Sequence, residues 1–379
     1  VFTAVAPPAP PIGSGWPQSL GTGTIADAIQ TMPVTDGVSI YVGSNNGKFY
    51  ALNPDGTPKW TVPFDAGASV LGTPVAGFEP NYIYVVTSGG RLLKVKDTGA
   101  AGSTASQDGG WIRDIGAVGS AQYVLTSSTN IYVGTSSNQM RKLRAGDGTD
   151  VWPAPPQLLG QVNGTVAVDE TTPGVNELWV GDAGGGVSRI KTNDGTILSS
   201  FTSVGNVPIN SDPLILAGYS YAPNNKDFLY ITAGSRVYLR NRFNLKTSTD
   251  TWSDYDTGGA EITTSVEVDG FFEGSTPHLY FGTQDGRLIK LDGLTGSEIW
   301  SFQAPAAIES TPFFNEDDGY VYFGCNDGKV YAIRYSDKLQ KPNWPYNAGA
   351  AVRSSLSMSS GNLLVGSDDG KLHVLDITP

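Results

Sequence analysis

Nucleophiles, proton carriers and metal ligands are scarce in this sequence. Its 379 residues include two histidines, His278 and His373, and one cysteine, Cys325. A Ser–His–Asp triad would have to use one of the two histidines, yet no G-x-S-x-G elbow accompanies either. No HExxH or CxxC spacing occurs, so no transition-metal site is expected. The single cysteine excludes an intramolecular disulfide. It follows the apolar run VYFG and is expected to fill a small core space. Gly-Lys pairs at 47–48, 328–329 and 370–371 precede Phe, Val and Leu rather than Ser or Thr, so they read as hairpin turns and not as phosphate loops.

Three further groups admit a functional reading beside a structural one. Glu316, Asp317 and Asp318 in NEDDG read as a solvated turn, with a surface calcium site as the alternative. Arg236, Arg240 and Arg242 lie along one strand and its exit, and are expected to form a solvated edge or else a patch for an acidic ligand. Asn163-Gly164-Thr165 matches a glycosylation acceptor, but on an inner strand, where a glycan would not fit.

Charge narrows the partners. The net charge is −12, with an isoelectric point near 4.6. Without a basic patch, neither nucleic acid nor an anionic membrane surface is an expected partner. No run approaches the ~20 apolar residues of a spanning helix. Gly 48 and Pro 24, beside 39% hydrophobic and 10% aromatic residues, fit many short strands joined by tight turns rather than a disordered chain.

The elements that would position any site repeat along the chain. A strand motif recurs as IYVG (40–43), IYVV (83–86), IYVG (131–134), LWVG (178–181), LYIT (229–232), LYFG (279–282), VYFG (321–324) and LLVG (363–366). Each copy is followed by a polar, mostly glycine-bearing turn and a second alternating strand, which is a hairpin signature. An upstream strand precedes each copy: TIADAIQT, SVLGTPVA, AVGSAQYV, QVNGTVAV, PINSDPLI, EITTSVEV, AIESTPFF and AVRSSLSM. Its third residue falls at Ala26, Leu71, Gly119, Asn163, Asn210, Thr263, Glu309 and Arg353. A fourth strand carries Trp16, Trp60, Trp111, Trp152, Trp252, Trp300 or Trp344, with Phe201 in the remaining place. One large ring per unit suits packing between neighbouring twisted sheets.

Four strands in roughly 45 residues is a propeller period. The expected fold is all-β: an eight-bladed β-propeller of four-stranded antiparallel blades. Residues 15–20, GWPQSL, resemble NWPYNAG at 343–349, so the N-terminal strand is expected to complete the last blade and remove an open edge. Residues 1–14 are expected to be a Pro/Ala-rich linker after a removed signal or an upstream module, and 15–379 a single propeller domain. Asn163, Asn210, Thr263, Glu309 and Arg353 are expected to line the central tunnel, with Glu309 and Arg353 pairing across adjacent blades.

Segment 279–300, LYFGTQDGRLIKLDGLTGSEIW, and segment 40–60, IYVGSNNGKFYALNPDGTPKW, resemble the pyrroloquinoline-quinone-like propeller repeat, "VYVGS-DG-LYALD-TG--W". The resemblance spans about residues 15–379 and implies the fold more strongly than a function. Its dehydrogenase members hold a quinone and calcium over the tunnel, with an aspartate base and often a vicinal cysteine pair. A vicinal disulfide is impossible here and the blades are near minimal length. The non-enzymatic branch, which includes a propeller lipoprotein that assists outer-membrane β-barrel assembly, is the better match, although a lipid-anchored N-terminal cysteine is lacking.

The expected function is a non-catalytic secreted or cell-surface scaffold for a protein or glycan partner, without a cofactor. It would be a monomeric domain of a larger exported protein, located outside the cell, on its surface or in the periplasm. A quinone- and calcium-dependent oxidoreductase and a carbohydrate-binding surface protein are the alternatives. Tyr219, Tyr221, Phe271 and Phe272, on longer loops of one face, are the expected partner contacts.

Overall fold

The structure, a computed structural model, describes residues 18–19, 27–76, 81–98, 102, 104–116, 123–127, 130–170, 174–216, 228–248, 254–269 and 276–377. It is an all-β propeller. Seven blades are built from consecutive strands, at 34–65, 82–114, 123–144, 166–202, 214–256, 267–303 and 313–347. The remaining sheet is assembled from both chain ends: Gln18–Ser19 pairs with Lys371–Asp376, which continues to Asn362–Gly366 and Ser357–Ser359.

The expected eight blades of four strands are corrected to seven blades of consecutive strands, while the closing sheet is shared by the two termini, with the N-terminal strand pairing where it was expected to pair. Nor is the strand number uniform. Blades 82–114 and 123–144 show three strands among the described residues, and blade 214–256 shows five, because Asn244–Ser248 and Tyr255–Asp256 both pair with Arg236–Asn241. Proline accounts for part of this. After Met140–Arg144 the chain reads VWPAPPQ. Pro153, Pro155 and Pro156 offer no N–H, so the would-be fourth strand is reduced to the single bridges Leu143–Asp150 and Gln139–Gln157. Likewise, Pro74 lies between the single bridges Val70–Thr87 and Val75–Tyr84, where blade 82–114 would have its inner strand.

The core lies between sheets rather than within any one of them. The IYVG-type strands and the strands after them are buried on both faces, because each sheet is sandwiched by its neighbours. Val330, Trp344 and Tyr346 of one blade pack with Val352, Leu363 and Leu375 of the next sheet. The ends of the chain meet in the same way: Ile29, Ile40, Val42 and Leu52 pack with Leu364, Leu372 and Val374. Each fully buried aliphatic side chain of this kind contributes roughly 1.5–3 kcal/mol.

The glycine ending most strand motifs follows from this packing. A Cβ on Gly43, Gly134, Gly181, Gly282 or Gly324 would lie 2.3–2.4 Å from a side-chain carbon of Val70, Val162, Ile209, Ile308 or Val352, which leads into the next blade. Gly366 meets Ile29 in the same way, at 2.4 Å. The seam between the chain ends thus repeats the interior junctions. A backbone bond repeats too. Val70, Ile209, Ile308 and Val352 donate their N–H to the carbonyls of Ser44, Asp182, Thr283 and Cys325, and Ile29 donates to Ser367 at 3.1 Å.

A second set of inter-blade contacts lies on the opposite face. Trp60 Nε1 donates to Asp97 Oδ1 at 3.2 Å, Trp152 Nε1 to the Thr192 carbonyl at 2.9 Å and Trp300 Nε1 to the Tyr335 carbonyl at 3.1 Å. Trp179, the one tryptophan outside the fourth-strand series, replaces the motif tyrosine and donates to the Arg242 carbonyl at 2.7 Å. Beside these rings sit buried cations: Lys59 meets Asp97 at 2.6 Å, and Lys142 and Lys290 donate to the Thr192 and Tyr335 carbonyls at 3.0 Å. Trp16 and Trp252 lie outside the described residues.

Candidate functional site in the central cavity

The inner segments surround a cavity of about 1190 Å³. Asn163, Asn210, Thr263, Glu309 and Arg353 all line it. They sit three or four residues ahead of the inner strands Val166–Asp169, Leu214–Leu216, Glu267–Asp269, Phe313–Asn315 and Ser357–Ser359, on the links that enter each blade. Period-two alternation then aims every second side chain at the axis, giving layers at successive depths.

The outer layer is polar. Arg353 Nε meets Glu309 Oε2 at 3.1 Å, the anticipated tunnel pair, and the guanidinium also binds Asp368. Asn326 Nδ2 donates to Glu309 Oε1 at 2.8 Å, Gln30 Nε2 to Asp368 Oδ1 at 3.3 Å and Asn45 Nδ2 to Gln30 Oε1 at 3.2 Å. This chain of polar side chains crosses the seam between the ends of the protein. On another arc, Asn163 Nδ2 donates to Asn210 Oδ1 at 3.0 Å. The glycosylation-like triplet thus faces the cavity rather than the outer surface.

Gln30 was missed from sequence. Its neighbour Ile29 makes the seam bond that Ile308 and Val352 make elsewhere, so Gln30, and not Ala26, is equivalent to Glu309 and Arg353. The usable signal was AIQTMPV at 28–34 against AIESTPF at 307–313, with Pro33 matching Pro312.

Hydroxyls and one carboxylate form the middle layer. Asp212 Oδ1 accepts the Thr165 N–H at 2.6 Å, Ser265 Oγ accepts the Asp212 N–H at 3.0 Å and Ser355 Oγ accepts the Thr311 N–H at 3.3 Å. Adjacent blades are laced together by these bonds. Deeper still the wall includes Val75, Phe313, Leu356 and Met358, and among them stands Glu267. Burial pushes its carboxyl up to about 7, against one favourable bond from the Phe314 backbone N–H.

The other candidates lie elsewhere. His278 Nδ1 is 2.8 Å from Asp269 Oδ1. His373 is buried between Tyr346 Oη at 3.0 Å and Ser367 Oγ at 3.1 Å, and burial pushes it down to about 4. Cys325 is buried with its thiol pushed up to about 11, chiefly by desolvation. Of the acidic run, Glu316 and Asp317 are exposed, whereas Asp318 turns inward to Lys341 at 2.8 Å and to Tyr322. The solvated arginine edge is corrected. Arg240 and Arg242 are buried, paired with Asp254 and Asp169 at 2.7 Å each, and only Arg236 is partly open, beside Asp256 at 2.9 Å. Tyr219, Tyr221, Phe271 and Phe272 lie outside the described residues.

A quinone–calcium centre does not fit the described residues. Calcium takes six to eight oxygen ligands. Among the described residues no three His, Cys, Asp or Glu side chains come together as a metal site. Among the described residues the one arginine of the cavity, Arg353, is already committed to Glu309 and Asp368. No reaction step is routed through such a group.

Solved structures resemble this one in fold. BamB from Moraxella catarrhalis superposes with a TM-score of 0.66 at 15% identity, covering 96% of this chain and 98% of that one. The computationally designed protein Ika8 gives 0.68 at 14%, covering 95% and 100%, and Sqt1 of Saccharomyces cerevisiae gives 0.70 at 13%, covering 94% and 98%. At such identities the likeness shows the fold alone. No curated protein matches the sequence. The family model described as outer membrane protein assembly factor BamB matches residues 13–171 and 184–378. With its propeller repeats matched on both sides of one short gap, the chain belongs to that family of PQQ-like repeat propellers.

Proposed function

We propose that this protein is an exported, non-catalytic scaffold that holds a protein partner, and that the partner takes part in outer-membrane protein assembly. The family match across 13–171 and 184–378 carries the reading. Chemistry supports it. Both histidines are engaged in hydrogen bonds, the thiol is buried, and among the described residues the charged groups lining the cavity are carboxylates and one paired arginine. The acidic chain and its inter-blade core suit a rigid, soluble platform whose recognition is done by loops and rims. Among the described residues no helix is long and apolar enough to cross a membrane.

Photo-crosslinking in the source cells tests this reading. A crosslinker is placed at Leu159 or Val207 on the face of the blade-to-blade links, and at Val38 or Leu339 on the opposite face; all four are exposed. The expected result is a discrete adduct, from one face only, with a component of outer-membrane protein assembly. No adduct from either face overturns the scaffold reading, as does dye reduction by an alcohol or sugar that requires added quinone and calcium.

A further inference from the structure

Glu267 stands apart from every other acid in the cavity. Inner strands elsewhere place Val75, Phe313 or Ser357 at its depth. Its carboxyl accepts the Phe314 backbone N–H and, among the described residues, faces no cation. The other charged groups on the wall among the described residues are Asp212 from the preceding blade, Glu261 on its own segment, and Glu309 and Arg353 from the two following links. Arg353 is occupied by Glu309 and Asp368, and among the described residues the wall holds no Lys or His. Tyr280, opposite Glu267 in register, turns its hydroxyl to Asp269 at 2.5 Å. A partly buried carboxylate without a counterion is costly, and the surrounding field favours a positive charge.

The rest of the wall says what kind of cation fits. Phe313, Leu356 and Met358 belong to one apolar cluster and line the cavity together, and Phe313 directly precedes Phe314, whose N–H bonds Glu267. An aromatic face and a thioether-bearing side chain suit an alkyl chain that ends in an ammonium group. A volume of about 1190 Å³ is more than a small molecule requires. We propose that the central cavity binds a linear alkylamine, its ammonium seated on the Glu267 carboxylate and its carbon chain against Phe313, Leu356 and Met358. This site is independent of the scaffold reading, and either can fail alone.

Calorimetric titration of the full chain with hexane-1,6-diamine tests it. One saturable site is expected at pH 8. With the carboxyl titrating near 7, affinity falls roughly 30-fold at pH 5.5. Glu267→Gln weakens binding at pH 8 at least about tenfold, and hexan-1-ol, which lacks the charge, does not bind. Thermal unfolding of the variant confirms its fold, and should that fail, the pH comparison on the unaltered chain decides. The proposal is overturned by absence of saturable binding at pH 8, by affinity that ignores pH, or by a folded Glu267→Gln chain that binds as before.

Discussion

Replacing Gly366 by valine lowers the free energy of unfolding by about 2–3 kcal/mol, the upper part of the range for overpacking a tight core. The added Cβ alone would lie 2.4 Å from Ile29 Cγ2 and 2.9 Å from the Ile29 carbonyl oxygen. Neither can yield easily: the Ile29 N–H is held by Ser367, and its side chain packs with Leu364, Leu372 and Val374. Gly324→Val is expected to lose a similar amount, since its Cβ would meet Val352 Cγ1 at 2.3 Å in an interior junction. Gly146→Ala is the control, because a Cβ there meets nothing within 4 Å. It is expected to be neutral or stabilising by up to about 1 kcal/mol. Equilibrium denaturation of the three variants settles the matter. A Gly366→Val chain as stable as the parent would mean that the two ends of the protein do not pack as the other junctions do.

A larger loss is expected from Arg242→Ala, about 3–5 kcal/mol, because it removes the guanidinium paired with a buried carboxylate. Arg242 is 1% exposed and its Nη1 lies 2.7 Å from Asp169 Oδ2, at the end of the inner strand of the preceding blade. Its guanidinium also covers the Phe243 ring at 4.5 Å, and its carbonyl accepts the Trp179 indole. The double variant Arg242→Met with Asp169→Leu is expected to recover part of the loss, since it replaces both members of the buried pair by apolar groups. Arg334 makes a pair of similar length, 2.6 Å to Asp337, but on the surface, with both side chains more than 40% exposed. Arg334→Ala is expected to leave the stability nearly unchanged, because water and salt screen an exposed pair. Equal losses for Arg242→Ala and Arg334→Ala would contradict the burial assigned to this blade junction.

How far the sequence could be read depended on whether a signal was local. Strand motifs and glycine turns are local, and the hairpins at 40–52, 279–292 and 321–334 stand where the repeat put them. Glu309 and Arg353 were paired from register alone, and the pair exists. Reading failed where a neighbouring sheet decides the environment. Arg242 looked like the end of a solvated strand because its partner Asp169 lies 73 residues away on another blade. Glu267 escaped notice because, in SVEVDG, alternation shows only that positions 265 and 267 share a face, and a cavity-facing side reads like a solvent-facing one. The strand count failed for a different reason: the motif spacing persists through VWPAPPQ although its prolines cannot complete a ladder. Gln30 was lost to a four-residue slip in the first unit, where the flanking sequence is the least repeat-like.

The central claim is that the ring is continuous, with the meeting of the chain ends built like any other junction. Residue-resolved amide hydrogen exchange on the intact protein tests this most directly, read at Ile29 against Ile308 and Val352. All three amides donate to the residue after the preceding sheet's motif strand, at 3.1–3.2 Å. The account predicts protection of Ile29 within about tenfold of the other two, equivalent to ~1.4 kcal/mol in opening free energy. Exchange of Ile29 at the rate of an open chain, while Ile308 and Val352 stay protected, would contradict it.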